Sequence, residues 1–239
     1  MMQQVVLRFE DRTRRAWTLL PLAVRIAHAL GLHADKHSRN AFDQQQRRRL
    51  WYSICVLDLQ MCVDLASDPL IVAGTYDTVL PLNVNDADLH PAMKTSPSAR
   101  SGFTDMSFAL ITQEITVAAI KAHLVNPESW RERQHGIQAA RDTIHHRYLA
   151  ACDSTDLFQD FTVALSKSII AACLLHAVRP TRLAPKAVMP TVSDEYILSL
   201  AVDTLEASNA CYTNTVMRGW HWYVWPQWHA LVRKSSGED

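Results

Sequence analysis

Glycine is scarce in this sequence, with six in 239 residues. So few leave little material for the tight turns of an all-β architecture, and they favour long helices. The five cysteines, Cys55, Cys62, Cys152, Cys173 and Cys211, include no CxxC pair. They are scattered through apolar stretches, the pattern of reduced, buried thiols rather than a disulfide frame, so an intracellular compartment is expected. Charge of one sign is also missing, because 24 Lys plus Arg balance 24 Asp plus Glu. The balance gives no electrostatic bias towards nucleic acid, a membrane surface or acidic substrates. MMQQVVLRFEDRTRR at the amino terminus lacks the apolar run and small-residue cleavage site of a secretory signal. Phe161 to Val178 comes nearest to a membrane span, but Lys167 interrupts it and His176 sits near its end. A packed core helix and a protein without membrane contact are therefore expected.

Signatures of chemistry are missing too. There is no GxSxG, Gly-rich phosphate loop, HExxH, dinucleotide fingerprint or DDxxD. The interval from Cys55 to Cys62 equals one interval of a zinc binuclear cluster, but on a helix it separates the two sulfurs by roughly 10 Å, too far to share a zinc. His28, His33 and His37 with Asp35 straddle a predicted helix stop at Gly31, so their spacing defines no ligand set, and no metal site is assigned. His145 and His146 diverge by about 100° on a helix and cannot chelate from one face. The acidic cluster NVNDADL lies between prolines and reads as a capped turn rather than a magnesium site.

What is present is helical periodicity. Arg12 to Leu30 places Trp17, Leu20, Val24, Ala27 and Leu30 three and four apart, with Asp11 as the cap and Pro21 as a kink. Asp43 and Gln46 form a capping-box signature for a second helix running to about Ala66. From Ser67 to Gly102 the composition changes to Pro, Asn and Asp, and this stretch is expected to be an ordered strap pinned by Leu80, Leu82 and Leu89. Helical character resumes at Thr104–Leu124, Glu128–Cys152, Asp156–Val178 and Ser193–Val216, before a tryptophan-dense tail, GWHWYVWPQWHAL. The fold class is all-α, a bundle of about six or seven helices with the long strap between the second and third.

The second helix carries the most informative residues. A helical wheel puts Asp58 on one arc with Leu50, Trp51, Ile54, Leu57, Met61 and Leu65, while Val56, Leu59 and Val63 make the opposite side apolar as well. Asp58 is therefore expected inside the protein, where an isolated carboxylate costs several kcal/mol, so a partner is required. The expected partner is an arginine, Arg47, Arg48 or Arg49, with Arg25 also available, and the pair is read as structural. Asp68 before Pro69 reads as a turn acid. No catalytic residue is assigned. The tail aromatics read as core packing or, alternatively, as part of a ligand pocket formed by Trp51, Asp58, Trp222, Trp225 and Trp228.

WTLLPLAVRIAHALGLHAD, QQQRRRLWYSICVLDLQMCVDLASDPLI, VLPLNVNDADL, GFTDMSFALITQEI and WPQWHAL, taken in this order, resemble the fungal-specific transcription factor domain, the middle homology region of zinc binuclear cluster regulators. The resemblance covers most of residues 11–231, with residues 1–10 and 232–239 as tails. It implies an all-α regulatory domain in the nucleus, with the cytoplasm as the alternative, that answers to a protein co-regulator or a small-molecule effector. It also implies control of metabolic or secondary-metabolite genes. In the family zinc belongs to a DNA-binding module ahead of this domain. That module, its coiled coil and the helical material before WTLLPLAVRIA are missing here, and the family's apolar continuation past QWHAL is replaced by VRKSSGED. Both ends therefore read as clipped, no cofactor and no direct DNA binding are expected of this chain, and its oligomeric state stays open. An enzyme or small-molecule-binding protein of a biosynthetic pathway, built on the same scaffold, is the alternative reading.

Overall fold

A computed structural model describes residues 13–38, 40–65, 67–124, 129–178 and 191–224. Within them the chain is all-α: α1 (Thr13–Ala29), α2 (Ala41–Leu65), α3 (Ser107–Leu124), α4 (Trp130–Arg147), α5 (Leu157–Val178) and α6 (Asp194–Thr213), with short 3-10 turns and a longer 3-10 helix at Thr215–Tyr223. No strand occurs among the described residues. The chain divides into two compact units, residues 1–124 with 142–151, and residues 125–141 with 152–239.

In the first unit α1 ends where Gly31 adopts φ +65°. The Leu32 amide donates to the Ala27 carbonyl and the Gly31 amide to the His28 carbonyl, both at 2.9 Å, the pairing of a Schellman stop. Gly31→Ala is expected to cost about 1 kcal/mol, because a Cβ is strained in left-handed backbone; a denaturant midpoint unchanged from the parent would contradict this. Pro21 lies inside α1, and Asp11, the expected cap, is outside the described residues. At the start of α2 the cap is Asn40, whose Oδ1 accepts from the Asp43 amide at 2.8 Å. Asp43 thus sits in the first turn instead of capping it, because Asn three residues earlier is an equally good acceptor.

α2 is enclosed by protein. Trp51, Cys55, Asp58 and Cys62 are buried on one side and Val56 and Leu59 on another, as its all-round apolar character requires. It packs with α1 and α3 around a core that includes Leu20, Val24, Trp51, Ile54, Ile71 and Ile120. The strap between α2 and α3 is ordered: of its expected pins, half-buried Leu80 packs against the core, Leu82 and Leu89 are also half-buried, and Ile71, Thr78, Asn83 and Val84 are buried more deeply. Polar bonds choose that register: Leu82 N–H donates to buried Gln45 Oε1 at 2.9 Å, Thr78 Oγ1 to the Leu32 carbonyl at 2.7 Å, and Tyr52 OH to the Thr78 carbonyl at 2.7 Å. The NVNDAD stretch is a capped 3-10 turn, Asn85 and Asp88 bonding each other's backbone. Next to it Asn83 gathers four bonds, donating to the Arg100 and Gly102 carbonyls and accepting from the Thr104 and Ser107 hydroxyls.

In the second unit α5 begins at Asp156, whose carboxylate accepts from the Phe158 and Gln159 amides, and α6 begins at Ser193, which caps Tyr196. The two helices pack along their length, with Leu175, Val178 and Leu200 at one core and the Ser168 and Ser208 hydroxyls bonded at 3.0 Å. α5 is long and apolar enough to cross a membrane, and 50% of its most apolar stretch is buried in the protein.

Candidate functional site

Asp58 is the residue whose chemistry most needs an explanation, since it is 1% exposed. At 3.6 residues per turn, Cys55 three residues before Asp58 and Cys62 four residues after it lie on the same side of α2, so the carboxyl is flanked by two buried thiols. Its partner is not an arginine. Oδ2 accepts the Ile71 amide at 2.8 Å, and the neighbouring Leu70 amide assists. Burial nevertheless wins, raising the carboxyl above its ordinary value against the pull of these two amides. Cys62 is pushed up to about 12 by burial first and by the Asp58 charge second, and Cys55 is raised by the same two causes in the same order. Both therefore stay protonated at neutral pH, the state in which a thiol is neither a strong nucleophile nor a metal ligand.

The expected ion pair between Asp58 and Arg47, Arg48 or Arg49 is thus corrected. Nine to eleven residues of helix place those arginines roughly 14 to 16 Å along the axis from Asp58, beyond the reach of the side chain. Each serves the opposite end of the first unit instead. Arg47 donates to the Leu30 carbonyl at 2.6 Å, Arg48 makes a two-pronged bond to Asp35 at 3.0 and 2.6 Å, and Arg49 reaches Asp86 at 2.7 Å. The three consecutive arginines therefore fasten the end of α1, the turn after it and the NVNDAD turn to one helix. Only the Arg48 pair is well shielded, with side-chain exposures of 12% and 25% against 72% for Asp86. Arg48→Lys is expected to cost about 1 kcal/mol by losing the planar two-bond geometry, and Arg49→Lys less than half of that; urea unfolding of the two variants checks the order.

Trp51, 0% exposed, has a second set of neighbours that its sequence position does not announce. The Gly31 stop folds the chain so that the His28 and His33 rings lie 4.5 Å apart, with Trp51 5.5 Å from His28 and Tyr76 5.5 Å from Trp51. Burial and the neighbouring His33 hold His28 below its ordinary value. The signal for this cluster was the left-handed glycine between the two histidines, because a Schellman stop reverses the chain over a few residues. Asp35 turns to Arg48, the His37 side chain lies outside the described residues, and no group of three or more His, Cys, Asp or Glu is gathered for a metal among the described residues.

The five residues of the expected ligand pocket fall in both units, and three of them lie wholly or in their side chains outside the described residues. Trp51 and Asp58 belong to the first unit, and both are sealed in its core. Trp222 belongs to the second, within the 3-10 helix Thr215–Tyr223, and its side chain lies outside the described residues, as do Trp225 and Trp228 entirely. The tail begins as a packing element: Trp220 stacks on Phe161 at 5.5 Å and meets Phe158 at 5.6 Å, both on α5. The Tyr212 hydroxyl donates to the Val224 carbonyl and ties the end of the 3-10 helix back to α6.

The fungal specific transcription factor domain matches residues 1–120, the stretch that includes α1, α2, the strap and nearly all of α3. The C6 finger domain transcription factor nscR of Aspergillus fumigatus is 34% identical over 242 residues, covering 94% of this chain and 31% of its own length. The C6 finger domain transcription factor adaR of Aspergillus niger is 34% identical over 262 residues, covering 95% of this chain and 33% of its own. An nscR from Arthroderma gypseum is 31% identical, with 95% and 34% covered. The chain spans about a third of the length of these curated relatives. No solved structure matches it.

Proposed function

We propose, because the chain belongs to the fungal specific transcription factor domain family, that it is the regulatory and partner-contacting part of a nuclear transcription regulator. The supporting observation is that relatives named as C6 finger domain transcription factors align with 94–95% of it, while its cysteines are separate from one another in sequence and those at 55 and 62 are buried as thiols. In this reading the zinc cluster and the DNA contact are not the work of this span. Its work is to hold a rigid helical frame against which a co-regulator or small-molecule effector changes the activity of a DNA-bound assembly. The genes controlled belong to metabolism, with a secondary-metabolite cluster as the leading case.

Deleting the gene in its host and sequencing transcripts tests the reading. A coordinated fall or rise of several transcripts is the expected result. Unchanged transcripts with one accumulating metabolic intermediate would overturn it in favour of an enzyme.

A further inference from the structure

α1 presents two apolar faces. Leu20, Val24 and Ala27 are buried in the first unit, but Leu19, Leu22, Ile26 and Leu30 are 37%, 55%, 51% and 56% exposed. At about 100° per residue these four fall within an arc of roughly 80°, a single stripe along the helix and the first residue beyond it. The spacing from Leu19 to Leu22 to Ile26 is three then four, the seam of a coiled-coil heptad, with Arg25 at the flanking position beside Ile26. Single exposed leucines are ordinary on a protein surface, but three at heptad seam spacing with Leu30 continuing the same arc just beyond the helix make a docking face.

Charge selects the occupant. α1 contains Arg14, Arg15 and Arg25 and no Asp or Glu. Arg25 is exposed, and Arg47 stands at the Leu30 end of the stripe, bonded to the Leu30 carbonyl. Neither has a carboxylate partner among the described residues. A second copy of this helix brings no acid to either arginine: in a parallel pair Arg25 faces the copy's Leu30, and in an antiparallel pair it faces flanking positions occupied by Thr18 and Arg25. We infer that the stripe docks an amphipathic helix of a different protein chain, apolar at heptad spacing and acidic where it meets Arg25 beside the stripe and Arg47 at its Leu30 end. The idea that this partner acts in transcription rests on the regulatory reading above; the docking itself does not.

The test uses two synthetic helical peptides with Leu at the seam positions, one with Glu and one with Lys at the flanking positions, titrated against the full chain and read by fluorescence anisotropy. The Glu peptide is expected to bind one per chain, roughly tenfold or more tighter than the Lys peptide, and the difference should shrink as salt rises. Ile26→Asp should abolish binding while leaving the melting temperature unchanged, since the residue is exposed, and Arg25→Glu should reverse the preference between the peptides. Equal binding of both peptides, no binding of either up to about 1 mM, or sedimentation showing a dimer that Ile26→Asp turns into a monomer would each overturn the inference. The transcript experiment is independent, so failure of peptide binding and failure of the regulatory reading are told apart.

Discussion

Replacing Asp58 by alanine should destabilise the first unit by about 2–4 kcal/mol, the sum of a buried amide left without an acceptor and a small void beside Cys55 and Cys62. Asp58→Asn should behave differently, because the amide oxygen still accepts from Ile71 while the charge disappears. The sign of the pH dependence follows from the upward shift of the carboxyl. In the unfolded chain it titrates near its ordinary value, about 3.9; in the folded chain burial raises it. The folded state then binds the proton more tightly, so the contribution of Asp58 is fully present below the unfolded value and is lost as pH rises through the folded one. Wild type should therefore lose stability relative to Asp58→Asn from about pH 4 upward, and the alanine variant should look worst at the acid end of that window. Urea unfolding of the three proteins across pH measures this. Parallel curves for wild type and the asparagine variant would show that Asp58 does not carry the shift.

The second large effect belongs to Trp51. It is wholly buried, packs against the His28 and Tyr76 rings, and lies in the core shared by α1, α2 and the strap. Trp51→Ala removes more buried surface than any leucine in that core and should cost about 3–5 kcal/mol. Trp51→Phe keeps most of the ring area and the edge contact with Tyr76, so about half that loss is expected. Thermal melts followed by circular dichroism give the ranking, and an alanine variant as stable as wild type would mean that the cluster is not a core.

What was legible in the sequence depended on whether side chains alone held the information. The enclosure of α2 was visible from apolar residues on both of its sides, and helices starting near Asp156 and Ser193 from the return of helical periodicity there. The burial of Asp58 followed from its place on the wheel. Its partner did not, because a backbone amide thirteen residues on carries no mark in the sequence, whereas three arginines nearby are conspicuous. Axial rise would have removed them from consideration, since wheel position says nothing about distance along the helix. The strap anchors were legible only in part: Leu80 packs against the core as its apolar character suggests, but the polar bonds of Gln45, Tyr52 and Thr78, which the sequence does not mark, fix the deeper ones. The meeting of His28 with His33 was obscured by the turn between them, whose geometry only Gly31 signals.

Asp58 decides between a frame and an active site, and one variant separates them. The Asp58→Asn allele, introduced into the host gene, should give a protein that melts within a few degrees of wild type and should leave the regulated transcripts at wild-type level, because the asparagine oxygen keeps the Ile71 amide bonded. A protein equally stable and abundant whose transcripts or products collapse to those of the deletion strain would contradict the account and make the carboxyl itself the functional group.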